Sequence, residues 1–152
     1  MNWITSLDTI IFGHEFNEEL DIELISGFSK LIFSDYKLNE KLFKHYTDGK
    51  FDDLQYLKSY FNQDVSVLPN SITHLTFGWR FNQDVSVLPN SLTHLIFGVY
   101  FNQDVSNLPL SLTYLSFGNI FNQNVSKIPQ GIVRLTFGNN FNQDVSVLPL
   151  SL

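Results

Sequence analysis

From residue 61 onward, apolar and polar positions follow one another in a fixed order. In one stretch, Leu92, Leu95 and Phe97 are apolar. Leu95 and Phe97 alternate with the polar or variable positions held by His94 and Ile96. That alternation predicts a short strand with one buried face. Gly98 follows and permits a backbone shape that a side chain resists. Pro89 comes before; it lacks an N–H and fixes φ, so it suits a return arc and not the strand. No window of 11 residues within 61–152 shows helical spacing, and Pro recurs too often there for a long helix.

The order repeats every 20 residues without a gap. Phe61, Phe81, Phe101, Phe121 and Phe141 open the units; Phe77, Phe97, Phe117 and Phe137 each precede a Gly. A worn form extends backwards. Residues 6–13 match the S-L-T-H-L-x-F-G block, and Phe16-Asn17-Glu18-Glu19-Leu20 matches F-N-Q-D-V. Residues 28–34 form a second worn copy, and Leu54-Gln55-Tyr56-Leu57 a third that runs into Phe61. The early spacing is uneven, as in the atypical end repeats of solenoids.

A single unit of this length cannot bury its own apolar face, but stacked units can. Coils stacked at roughly 4.8 Å set like residues in columns. About seven coils would make a rod roughly 34 Å long at that spacing. The core columns expected are Leu75, Leu95, Leu115 and Leu135; Phe77, Phe97, Phe117 and Phe137; and Phe81, Phe101, Phe121 and Phe141. Asn62, Asn82, Asn102, Asn122 and Asn142 follow the last of these, and a buried Asn at a turn can bond free backbone groups. Stacked, they form a structural ladder between coils.

The pattern L-P-x-S-L-x-x-L-x-F-G-x-x-F-N-Q resembles the FNIP repeat, a relative of the leucine-rich repeat found in social amoebae and in giant viruses of amoebae. The match is close over 61–152 and loose over 6–60. The resemblance implies a curved parallel sheet on one side of the coil and a role in protein interaction without catalysis. The motif's Pro after Phe-Asn-Gln is replaced by Asp64, Asp84, Asp104, Asn124 or Asp144. Larger members carry an F-box; residues 1–53 show no such pattern, so that role is not carried over. The fold expected is a β-rich, leucine-rich-repeat-like right-handed solenoid with one parallel sheet of short strands and few or no helices. Residues 1–60 are its degenerate N-terminal repeats or cap, and 61–152 its regular repeats, ending in mid-repeat; together they make one continuous solenoid.

Charge narrows the partners. Net charge is −6, with 11 acids against 6 bases in residues 1–60 and 4 against 3 in 61–152. Neither part offers the basic footprint that nucleic acid or an anionic membrane surface needs. There is no Cys, which excludes disulfides and thiolate metal sites and fits a reducing compartment. With no signal-like start and no run of 18 apolar residues, an intracellular, cytoplasmic protein is expected, in the host cytoplasm if viral.

Candidate chemistry is sparse. His74 and His94 share a repeat position, but the column continues as Tyr114 and Arg134, with Tyr56 below, so a metal lacks ligands. The Asp column invites calcium, yet the unit has no Gly-rich loop to hold it. No His or Asp recurs at a distance suited to activating the repeated Ser residues. No cofactor and no enzyme activity are expected. The variable residues outside the coil are more telling. Tyr56, His74, His94, Tyr114 and Arg134 make a strip, with Thr76 and Ile96 beside it and Trp79, Arg80 and Tyr100 at the strand exit. Tyr, Trp and Arg are favoured anchors at protein interfaces. The reading is a scaffold that binds an unknown protein partner through its exposed strand face. The alternatives are a structural solenoid that self-associates end to end through open strand edges, or a decayed fragment of a longer repeat protein.

Overall fold

Among the described residues, seven strands form one sheet in chain order: β1 (Trp3–Thr5), β2 (Thr9–Phe12), β3 (Lys30–Phe33), β4 (His74–Thr76), β5 (His94–Ile96), β6 (Tyr114–Ser116) and β7 (Arg134–Thr136). The structure, a computed structural model, describes residues 3–5, 8–34, 59–149 and 152. Strands β2 to β7 are parallel, each one coil further along, while β1 pairs antiparallel with β2. A single helical turn, α1 (Ile22–Ile25), lies between β2 and β3, where Asp21 caps it by accepting from the Glu23 and Leu24 N–H groups. No helix among the described residues is long and apolar enough to cross a membrane.

The register corrects one expectation. Lys30 pairs with His74 and Leu31 with Leu75, so β3 lies directly beside β4. Residues 54–57, expected to form a third worn copy, lie outside the described residues; among the described residues six strands, β2 to β7, run parallel. Lys30, not Tyr56, is the neighbour of His74 in the outward column; Tyr56 itself, and the helix-or-loop question at 35–53, lie outside the described residues. Ring packing shows where the extra chain enters. Phe33 meets Phe61 at 3.8 Å, as Phe77 meets Phe81 at 3.6 Å. The first pair is 28 positions apart and the second 4, so 24 residues are inserted at a strand exit.

The core is two interleaved aromatic columns. Rings of Phe33, Phe77, Phe97, Phe117 and Phe137 succeed one another at 5.5–5.7 Å. Those of Phe61, Phe81, Phe101, Phe121 and Phe141 do so at 6.0–6.2 Å. Each stacked pair contributes about 0.5–1.5 kcal/mol beyond area burial. Leu75, Leu95 and Leu115 are fully enclosed between them. Leu135, Phe137 and Phe141 are half-buried, because β7 pairs on one edge alone.

Polar ladders join the coils on the far side. The Asn62, Asn82, Asn102 and Asn122 Oδ1 atoms each accept the backbone N–H of the Asn one coil on, at 2.8–2.9 Å. Asn17 starts the row by accepting from Asn62 at 2.9 Å. The Gln83, Gln103 and Gln123 side-chain amides donate to the backbone carbonyls of Asn62, Asn82 and Asn102. Each ladder satisfies groups that a turning backbone leaves free. In the next arc, where the family motif has Pro, Asp64, Asp84, Asp104, Asn124 and Asp144 accept the N–H of the Ser two residues on. This local bond makes the turn that Pro would otherwise preset. At Gly98, by contrast, the limit is space: a Cβ would overlap the Gly78 carbonyl.

Candidate functional site

Strand alternation sends Leu75, Leu95 and Leu115 inward, and so sends their neighbours outward. The outward row through the first strand positions is Lys30, His74, His94, Tyr114 and Arg134. Their side chains stack. His74 and His94 lie face to face at 4.1 Å, His94 and Tyr114 at 5.6 Å, and the Arg134 guanidinium covers the Tyr114 ring at 5.6 Å. Lys30 ends the row in an ion pair with Asp8 at 2.9 Å.

Threonines fix the ring planes. Thr73 and Thr93 Oγ1 lie 2.8 and 2.9 Å from Nδ1 of His74 and His94, and both hydroxyls also reach a backbone carbonyl one coil back. Burial pushes the His74 pKa below its ordinary value, and the nearby His94 and Lys30 push the same way, against the pull of Asp8. Beside this row run Thr76, Ile96 and Ser116, half-buried, and Thr136, exposed. Strand β2 is buried on both faces, so the open surface begins at β3.

At the strand exit the surface turns into a cleft of about 500 Å³. Trp79, Arg80 and Tyr100 line it, together with Tyr60 and the first rungs of the Asn ladder. The Arg80 guanidinium covers the Tyr60 ring at 4.6 Å, and Trp79 and Tyr100 tilt against each other at 6.0 Å. Sequence reasoning missed Tyr60, although it holds the same repeat position as Arg80 and Tyr100. The structure thus gathers the predicted residues into two adjoining groups: the stacked strand row, and the exit cleft.

Neither group makes a metal centre. The His74 and His94 rings are parallel, so their nitrogens do not converge on a point. Among the described residues no three His, Asp or Glu come together as ligands. Asp64, Asp84 and Asp104 each spend both carboxylate oxygens on the following Ser, one on its N–H and one on its hydroxyl.

Known proteins agree with this geometry. The FNIP repeat family model matches residues 61–98 and 84–120. The structure is similar to that of CroV588, a giant-virus protein described as a novel circular leucine-rich-repeat protein, with 42% sequence identity and a TM-score of 0.71. That similarity covers 93% of this chain, which spans 19% of the CroV588 chain. No curated protein matches the sequence. With its in-phase Phe, Asn and Gly columns and its parallel sheet, the chain carries FNIP repeats and has a leucine-rich-repeat-like solenoid fold.

Proposed function

We propose that this chain is a non-catalytic scaffold that recognises a protein partner through the outward face of β3 to β7 and the adjoining strand exit. The observation that carries the reading is the continuous stack of His74, His94, Tyr114 and Arg134. Stacking orders these side chains before any partner arrives, which lowers the entropy lost on binding. Their chemistry suits a protein: amphipathic rings and an Arg tip, with few charges and no basic field. A repeat fold favours the same view. Its core positions are fixed by stacking, so its outward positions are free to differ from coil to coil.

Affinity capture from a host extract tests the reading, comparing the wild type with His94→Ala/Tyr114→Ala/Arg134→Ala. The proposal expects a partner that the wild type retains and the triple variant loses, with both proteins melting within a few degrees of each other. Equal capture by the two proteins rules the strand row out. Sedimentation at two concentrations separates partner binding from end-to-end pairing of copies, which would shift the mass with concentration.

A further inference from the structure

The exit cleft has donors along its floor and rings along its walls. Asn17, Asn62 and Asn82 each turn Oδ1 into the stack, where it accepts the next coil's N–H. The ladder therefore fixes which way each amide points. The Nδ2 end of each has no partner among the described residues. All three residues line the cleft. Beside them lies Arg80, whose guanidinium donates and never accepts. Among the described lining residues none is a carboxylate.

A ligand for this cleft needs carbonyl acceptors without competing N–H groups, and apolar faces for Tyr60, Trp79 and Tyr100. A sugar fits poorly, since its hydroxyls need acceptors too and the amide oxygens here are already engaged. A proline-rich chain fits well. Proline has no N–H. In the polyproline II conformation the chain makes no internal hydrogen bonds, and aromatic-lined grooves are known to exploit its low ordering entropy. Its pitch also suits the site. Tyr60 and Tyr100 occupy one repeat position two coils apart, roughly 10 Å at parallel-strand spacing. Backbone bonding persists this far along the coil, through Tyr100 N–H to the Trp79 carbonyl at 3.0 Å. A polyproline turn advances about 9.3 Å, close to that two-coil backbone rise.

We propose that the cleft binds a proline-rich segment of a protein in the polyproline II conformation, with an acidic residue placed opposite Arg80. This deepens the partner-binding reading and rests on it, since Trp79, Arg80 and Tyr100 belong to the same surface.

Calorimetric titration with a short synthetic polyproline peptide bearing one Asp is the test. An alanine-rich peptide of equal length and charge is the control. The wild type binds the proline peptide and not the control. Asn82→Asp keeps the oxygen that the Asn102 N–H needs but removes the amide donors, so it weakens binding about tenfold without unfolding the chain. Trp79→Ala weakens it at least as much. The proposal is overturned if the wild type binds neither peptide, if both peptides bind alike, or if Asn82→Asp binds as the wild type does. In any of those cases, a captured partner lost on mutating the strand row would still support the broader reading.

Discussion

Phe97 and Phe101 lie face to face, with ring centroids 3.6 Å apart and planes 8° from parallel. One residue leaves the strand and the other opens the next unit, so their contact braces the corner between the two. The same pairing recurs at Phe117 with Phe121 and at Phe137 with Phe141.

Removing one ring should show it. Phe101 is fully buried between neighbours on both sides. Phe101→Ala is expected to lower unfolding free energy by about 3–5 kcal/mol in a denaturant titration. Phe141, half-buried, should cost clearly less when cut back to Ala. A loss below about 1 kcal/mol at Phe101 would mean that the ring is not in a core.

Glycine positions make a sharper contrast. A Cβ on Gly98 would overlap the Gly78 carbonyl, whereas one on Gly27 meets nothing within 4 Å. Gly98→Ala should therefore destabilise by about 1–3 kcal/mol, while Gly27→Ala stays within about 0.5 kcal/mol of wild type. Thermal melting of the two variants side by side checks this.

The Asn ladder predicts a different split at one residue. Asn102 Oδ1 accepts the Asn122 N–H at 2.9 Å. Asn102→Ala removes that bond, at a cost of about 0.5–1.5 kcal/mol. Asn102→Asp keeps the oxygen and should retain most of the stability. Amide exchange at Asn122 should quicken in the Ala variant and change little in the Asp variant.

Acid should act in two stages. Burial, with His94 and Lys30 nearby, sets the His74 pKa below its ordinary 6.5. The fold then favours neutral His74, so that contribution is intact above pH 6.5 and is lost as pH falls from there through the lowered value. The Ser66 and Ser106 hydroxyls hold Asp64 and Asp104 below 3.8, and the Ser146 N–H does so for Asp144. Their contribution is present above pH 3.8 and lost below it. Melting temperature against pH should fall in both windows, and His74→Asn should remove the upper fall alone.

The regular coils were legible because one period fixes everything within them: strand, turn and core follow from where Leu95, Phe97 and Gly98 recur. The N-terminal register was not. Spacing in the sequence put Tyr56 beside His74, yet it is Lys30 that pairs with His74. Spacing records local fit, whereas strand pairing is decided by which aromatic rings meet, and Phe61 clasps Phe33 across the insertion. Strand β1 was hidden for a related reason, since a three-residue antiparallel partner carries no period of its own. The strand row could be read from alternation, but its stacking could not, because ring planes are set by Thr73 and Thr93.

The account turns on the outward strand face meeting a partner. Site-specific photo-crosslinking addresses this directly, with a benzophenone side chain placed at Ile96 on that face or at Val87, 57% exposed on the return arc. In a cell extract the Ile96 probe should form a covalent adduct with another protein, and the Val87 probe should not. Adducts from Val87 alone, or from neither position, would contradict it.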